Sequence, residues 1–119
     1  MSLRFVILGG GPAGHQAATY AARLGAKVTV IERDVFGGAA HLWDCIPSKT
    51  MIATGGAISF AHRIEGMGLG HAEAAVDTEA LTARISRIQD DLSHDVVELL
   101  SSQNVRMIKG SGRFTGTHT

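Results

Sequence analysis

The sequence predicts an α/β fold, a parallel sheet covered by helices in three layers, and three features of its first 32 residues indicate this. An apolar, β-rich run at residues 5–8 leads directly into a glycine cluster at residues 9–14. A helical run follows, and a second apolar strand at residues 27–31 ends at Glu32. Strand, glycine turn, helix and strand in this order are typical of a Rossmann-like βαβ dinucleotide-binding unit.

The glycines of the first turn have the spacing expected for pyrophosphate binding. Gly9 permits the tight turn after the strand, and Gly11 lets the backbone approach a pyrophosphate closely. Gly14 lets the helix pack against the strand. The first turn of the helix, with Pro12 and Ala13, then presents backbone N–H groups and the positive end of the helix dipole to the anion. The motif alone does not distinguish FAD from NAD.

Glu32 is the predicted ligand of a ribose. It stands at the end of the second strand, about 20 residues beyond the glycines, where an acidic side chain binds the ribose hydroxyls of a dinucleotide. The alternative is a surface charge at the end of a strand. The register of all four elements favours the binding role.

The flanking elements follow from composition and turn signals. Residues 3–8 are predicted to be a buried parallel strand, and Gly25 is predicted to end the first helix. An apolar helix is predicted at residues 50–63, where the pair Gly55-Gly56 suggests close packing against a neighbour. Residues 65–75 are predicted to be an exposed connection.

A long amphipathic helix is predicted next, capped by Asp77 or Thr78. Its apolar residues recur at steps of three and four and make one continuous face: Leu81, Ile85, Ile88, Leu92, Val96 and Leu99. This face predicts core packing, although a partner-binding helix has the same pattern. A third strand is predicted at residues 105–108, and a turn at residues 110–114.

Length and composition restrict the class of function. The 119 residues suffice for one small domain with a core. The formal net charge is zero and no basic stripe is present, so nucleic-acid binding is not expected. Because no apolar run reaches the length of a membrane span and the N-terminus lacks the pattern of a signal peptide, a cytoplasmic location is expected. The single cysteine, Cys45, excludes an intrachain disulfide, and no metal site is predicted.

A second glycine pair begins a more specific motif. The run of Gly37-Gly38, six further residues and Cys45-Ile46-Pro47-Ser48-Lys49 resembles the flavoprotein disulfide reductases, which are pyridine nucleotide-disulfide oxidoreductases, and especially the dihydrolipoamide dehydrogenases. Their pattern is G-G-x-C-x-x-x-x-C-I-P-S-K. The first glycine turn, Glu32 and the turn at residues 110–114 match the same family, so the resemblance covers the whole chain.

The resemblance implies that the first glycine turn binds FAD, and that NAD(P)H is the co-substrate of a longer, homodimeric protein. Cys45 would be the flavin-side thiol, and Lys49 would lie by the isoalloxazine, where a cation stabilises reduced flavin. Gly112 would lie beside the adenine half. The implied cofactor contacts are Gly9, Gly11, Pro12, Ala13, Gly14, Glu32, Arg33, Gly37, Gly38, Ala39, Lys49 and Gly112.

One departure from the family pattern is Ala40, which stands where the first cysteine is expected. Disulfide exchange needs two sulfurs, so lipoamide turnover should fail. The motif is similar to that of the lipoamide-dehydrogenase-like NAD(P)H quinone reductases, which lack the redox disulfide, and a quinone-like acceptor is therefore predicted. A dihydrolipoamide dehydrogenase and a soluble pyridine nucleotide transhydrogenase, in which the other cysteine is lost, are alternatives.

The other departure is length, because family chains are several times longer and add NAD(P)H and dimerisation domains. Residues 1–119 are therefore predicted to be the N-terminal part of an FAD-binding domain, inactive by itself. A non-catalytic nucleotide-binding module is the alternative. The six histidines match no catalytic histidine of the family and are predicted to be surface or loop residues.

The residues around the cysteine position have competing interpretations. Cys45 precedes Pro47-Ser48, which suggests a helix N-terminus beside the flavin; the alternative is a small buried hydrophobic residue. Lys49 is either the flavin-side cation or an ordinary surface lysine. Trp43 could shape an acceptor site or only pack, and His41 could donate a hydrogen bond to a quinone.

Overall fold

The three strands form one parallel sheet, as predicted. The computed structural model describes residues 3–117 and, for His41, the backbone only. The central strand is the second in the chain, and its neighbours are the first and the third. The strands are β1 (Arg4–Leu8), β2 (Lys27–Glu32) and β3 (Arg106–Lys109). Because all three run in the same direction, their carboxyl ends meet at one edge of the sheet.

Three α-helices and two shorter helical segments connect the strands. The α-helices are α1 (Pro12–Arg23), α2 (Ile46–Ala61) and α3 (Thr78–Ser102). A π-helical segment, Ala40–Cys45, precedes α2, and a 3-10 helix, Ile64–Met67, follows it within a largely exposed connection. None of these helices is both long enough and apolar enough to cross a lipid bilayer.

The ends of α1 and α3 carry the expected signals. Pro12 stands in the first turn of α1, where its missing N–H costs nothing, and Gly25 follows the helix with φ +82°. The side chain of Asp77 accepts a hydrogen bond of 2.9 Å from the N–H of Ala80. Asp77, and not Thr78, is therefore the N-cap of α3.

The core lies between the sheet, α1 and α3. Ile7, Val30 and Met107 stand opposite one another on the three strands and point to the same side. The buried core consists of Ala18, Val28, Val30, Leu100 and Val105. Both helices pack on this one face, so residues 3–117 supply two of the three predicted layers. The opposite face is open, and Val6 on it is 64% exposed.

Residues 4–8 form a strand, as predicted, but the prediction that this strand is buried is wrong. Strand β1 pairs with β2 on one side, and no other described strand pairs with its outer edge. Most side chains of residues 3–8 are exposed, on both faces of the sheet, as Leu3, Phe5, Val6 and Leu8 are, whereas Ile7 is partly buried against the core.

Helix α2 begins four residues earlier than predicted, at Ile46. Apolar residues occur on all of its sides, yet none of its described side chains is buried. Apart from the chain neighbours and the backbone of the helix itself, no described atom lies within 4 Å of the position that a Cβ would take at Gly55 or Gly56. The close packing predicted at this glycine pair is therefore absent from the part of the chain that the structure describes.

Leu100 is the last residue of α3 that packs into the core. The prediction that Leu99 belongs to the buried face is wrong. Leu100 is fully buried and joins the core with Val30, whereas Leu99 is 38% exposed. With 3.6 residues per turn, steps of three and four both stay near one face after Val96. The sequence pattern does not decide between them, and packing against α1 and the sheet does.

We expect Leu100→Ala to lower the free energy of unfolding by about 2–5 kcal/mol, because it removes a fully buried side chain and leaves a cavity. Leu99→Ala is the matched control and should cost clearly less, since that side chain is already partly in water. Urea denaturation of both variants checks this. Equal losses would mean that the core does not end at Leu100.

Candidate dinucleotide-binding site

The turn between β1 and α1 requires glycine at two positions for reasons internal to the protein. Gly9 has φ +104°, a conformation that side chains disfavour, and its N–H donates to the carbonyl of Ile31 at 2.8 Å. A Cβ on Gly14 would lie 1.8 Å from the carbonyl oxygen of Gly9. The first turn of α1 therefore packs directly on the end of β1.

Gly11 differs because no contact among the described residues demands a glycine there. Its φ is −70°, which any residue adopts, and the one described atom near which a Cβ would lie is the Cα of Gly38, at 3.9 Å. The space beside Gly11 is a cradle that a side chain would fill. A pyrophosphate lying against the backbone and the N-terminus of α1 explains this glycine, so the turn fits a dinucleotide cofactor.

The carboxylate of Glu32 joins the end of β2 to this turn. One oxygen accepts a hydrogen bond of 2.6 Å from the N–H of Gly10, and the other accepts one of 2.7 Å from the N–H of Asp34. Gly10 has no predicted role, yet it is buried, and a Cβ there would lie 2.8 Å from the ring of Phe36. Gly10 is a variable position of the motif, so no sequence signal indicates its role.

These contacts also set the charge of Glu32. Burial by itself would raise the pKa of the carboxyl, but hydrogen bonds from the backbone N–H groups of Asp34, Gly10 and Arg33 outweigh it, and the Arg33 charge adds to them. The net result is a pKa below its ordinary value of 4.5. Glu32 is therefore an anion at neutral pH, held in one orientation at the carboxyl edge of the sheet.

Two adjoining concave regions bring most of the predicted cofactor contacts together. A cavity of about 350 Å³ includes Gly9, Glu32, Arg33 and Gly112 in its lining. A second region of about 420 Å³ runs along the glycine turn and includes Gly9, Gly11, Pro12, Ala13 and Gly14. Gly9 lines both regions. One elongated ligand could thus span from the turn past Glu32 to the segment at Gly112.

The second glycine pair packs against the first turn. Gly37 and Gly38 have φ of +108° and +73°, and the N–H of Gly37 donates to the carbonyl of Gly10 at 2.9 Å. A Cβ on Gly38 would lie 2.7 Å from the Cα of Gly11. The following residue, Ala39, is exposed. The two glycine motifs thus form one surface, although 26 positions separate Gly11 from Gly37 in the sequence.

Cys45 does not lie at a helix N-terminus, and this prediction is wrong. The π-helical segment runs directly into α2, and the backbone of Cys45 is helical, with φ −71° and ψ −46°. The free N–H groups of the helical run therefore lie upstream, near Ala40. The thiol is exposed, which also contradicts the alternative of a buried hydrophobic residue.

The other predicted residues near Cys45 are also on the surface. Lys49 is exposed and follows Cys45 by four residues, so the two share a helix face. Trp43 is 61% exposed, so most of its surface is not packed against the described residues. The side chain of His41 lies outside the described part of the chain.

The histidines are not all surface residues. His15 in α1 is only 6% exposed, because it lies three residues before Ala18 on the side of the helix that faces the core. This corrects the prediction for that residue. His62, His71 and His94 are exposed as predicted, and His118 falls outside the described residues.

A parallel sheet, a glycine turn at a helix N-terminus and a carboxylate at the end of the second strand define a Rossmann-like dinucleotide-binding unit. The chain belongs to the pyridine nucleotide-disulphide oxidoreductase family, whose family model matches residues 3–119. Members of this family use FAD and NAD(P)H.

The relatives carry two different names. The chain is 35% identical over 111 residues to a dihydrolipoyl dehydrogenase of Halobacterium salinarum, covering 93% of this chain and 23% of the relative. It is 40% identical over 117 residues to an NAD(P)H dehydrogenase (quinone) of Mycobacterium tuberculosis, covering 94% and 24%.

Among solved structures, LpdA from Mycobacterium tuberculosis is similar, with a TM-score of 0.86 and 38% identity. The match covers 97% of this chain and 25% of LpdA. The chain thus spans about a quarter of the length of the proteins it matches.

We expect Gly11→Val to abolish FAD binding by the full-length protein while the domain stays folded, because the side chain would enter the cradle and its Cβ would lie no closer than 3.9 Å to the Cα of Gly38. Gly14→Ala is the contrasting variant and should lower stability even without cofactor. Thermal unfolding and cofactor retention during gel filtration separate the two effects. Normal retention by Gly11→Val would mean that the turn is not the site.

We expect Glu32→Gln to weaken FAD binding and to destabilise the protein at neutral pH, because an amide cannot accept from two backbone N–H groups with both of its polar atoms. The folded pKa of Glu32 is depressed, so its contribution is present above the unfolded pKa and is lost as the pH falls through the folded pKa. The stability difference should therefore shrink in acid.

Unfolding in urea at neutral and acidic pH measures this difference, and the exposed Glu73→Gln is the matched control. A difference that does not change with pH would show that the charge of Glu32 is not what stabilises the turn.

Proposed function

We propose that this chain is the N-terminal FAD-binding part of an NAD(P)H-dependent flavoprotein that passes electrons to a quinone-like acceptor without a redox disulfide. The observation that carries the proposal is the single sulfur in the motif. Ala40 and Cys45 are the first and last residues of the π-helical segment, and only Cys45 can react as a thiol. A substrate disulfide needs a pair of thiols for exchange, whereas transfer from a flavin to a quinone does not.

The residues of the chain would hold the cofactor in a defined orientation. The N–H groups at the start of α1 and the open backbone at Gly11 would bind the pyrophosphate. Glu32, kept ionised and oriented by Gly10 and Asp34, would accept from the ribose hydroxyls. Cys45 and Lys49, on one helix face, would lie toward the reactive end. Bound FAD would supply the hydride and electron chemistry.

The exposed apolar surface supports the proposal that the chain is part of a longer protein. Strand β1 leaves Phe5, Val6 and Leu8 in water, and α2 leaves Met51 and Ile52 in water. Exposed strand edges and apolar patches of this kind are normally covered by other parts of a complete protein. The remainder of the FAD domain and the NAD(P)H domain would supply the cover. The predicted homodimer and cytoplasmic location stay predictions.

A second candidate is a dihydrolipoyl dehydrogenase, because several relatives carry that name. Ala40 disfavours it, since those enzymes are expected to use the paired cysteine that this residue replaces. A chain that only binds a nucleotide is a third candidate. The exposed thiol of Cys45 favours it.

We expect the full-length protein to reduce quinones with NAD(P)H and to fail with lipoamide. Cys45→Ser should keep most of the quinone activity, because no step in flavin-to-quinone transfer needs the sulfur. Steady-state assays of both proteins with both acceptors check this. Lipoamide reduction by the unaltered protein, or loss of quinone turnover in Cys45→Ser, would contradict the proposal.

Ala40→Cys provides the converse test of the proposal that the missing sulfur at residue 40 prevents disulfide chemistry. Because a π-helical segment is hydrogen-bonded from i to i+5, residues 40 and 45 stand one turn apart on neighbouring sides of the helix, so that two cysteines there could approach each other. Thiol titration after mild oxidation should find no free thiol in the 40–45 segment of this variant. The single-cysteine protein under the same conditions is the control.

A further inference from the structure

Two half-buried polar side chains interrupt the apolar face of α3. Gln89 and Ser93 lie four residues apart, one helical turn, between the inward-facing residues Ile88, Leu92 and Val96. A polar group in such a position needs a hydrogen-bond partner, because water reaches it poorly. Both side chains find that partner outside the helix.

Both partners are backbone carbonyls of the loop that follows β2. The hydroxyl of Ser93 donates to the carbonyl of Phe36 at 3.2 Å, and Nε2 of Gln89 donates to the carbonyl of Leu42. These carbonyls are the two ends of segment 36–42, which contains the second glycine pair and Ala40. Helix α3 therefore holds segment 36–42 at both ends. The bond from Ser93 joins residues 57 positions apart in the sequence, and the bond from Gln89 joins residues 47 positions apart.

Segment 36–42 in turn is in contact with the dinucleotide turn. Gly37 donates to the carbonyl of Gly10, and Gly38 lies against Gly11, beside which the pyrophosphate is expected. The contact is backbone to backbone, with no flexible side chain to absorb a displacement. A small shift of segment 36–42 would therefore change the width of the space at Gly11.

We propose that Gln89 and Ser93 are positioning residues for cofactor binding, which set the distance between segment 36–42 and the dinucleotide turn. This rests on the proposed FAD site. The two side chains act through the backbone of the loop, and the helix itself is held by Leu100 in the core. Removal of either donor should consequently loosen segment 36–42 without unfolding the domain.

The test uses the full-length protein with Ser93→Ala and Gln89→Met, which remove one donor each and keep a side chain of similar size or smaller. Ser93→Thr retains the hydroxyl and is the rescue variant. Ser86→Ala makes the same change at an exposed position of the same helix and is the matched control. The readouts are amide hydrogen exchange of peptides that cover residues 36–42, measured without cofactor, and the dissociation constant for FAD from fluorescence titration.

Ser93→Ala and Gln89→Met should each speed exchange in segment 36–42, and each should weaken FAD binding about three- to tenfold, the effect of losing one hydrogen bond. Ser93→Thr should restore both values, and Ser86→Ala should change neither. Unchanged exchange in both donor variants would overturn the proposal. Faster exchange with unchanged FAD affinity would overturn it as well, because the contacts would then serve the fold alone.

Failure of the unaltered protein to bind FAD would refute the proposed function and is recognised before any variant is compared. The exchange measurement without cofactor still decides in that case whether α3 holds segment 36–42. The two proposals therefore fail in distinguishable ways.

Discussion

The backbone of Gly10 is the point on which the candidate site depends. Its N–H donates to the carboxylate of Glu32, its carbonyl accepts from Gly37, and its Cα faces the ring of Phe36 with no room for a side chain. One residue thus joins β1, the end of β2 and the loop after β2. Each of these contacts involves a backbone atom of Gly10, and together they hold the turn in one geometry. Such a turn can present its N–H groups to an anion with little reorganisation.

What could be predicted from the sequence is mainly what is local. The glycine turn, the caps of α1 and α3 and the position of Glu32 depend on residues close together in the chain, and their spacing identifies them. Leu100 could not be separated from Leu99, because two adjacent residues of one helix both lie near its buried face. The contacts of Gln89 and Ser93 join residues far apart in sequence, and no periodicity indicates such a bond.

The prediction that Cys45 lies at a helix N-terminus is wrong for a different physical reason. Proline is common in the first turn of a helix, so Pro47 suggested that the helix starts there. The structure instead has helical backbone already at Ala39, and it continues through a π-helical segment into the α-helical hydrogen bonding of α2. A π-helical turn is rare and often lies at a functional site, and sequence patterns based on 3.6 residues per turn do not detect it. Its span, from Ala40 to Cys45, equals the spacing of the two cysteines in the family motif.

The candidate site has two parts, one at the carboxyl edge of the sheet and one on the helical run that ends in α2. The glycine turn, Glu32 and Gly112 meet at one edge of the sheet, so the described residues bring together the part of the site that is proposed for the adenosine and pyrophosphate. Cys45, Lys49 and Trp43 instead project from an apolar helical run that has few contacts with the sheet and open space at Gly55 and Gly56. A helix that is apolar on all sides is normally buried in its protein. Under the proposed function, cofactor affinity would therefore depend largely on this chain, whereas the choice of electron acceptor would depend on the surfaces that cover α2.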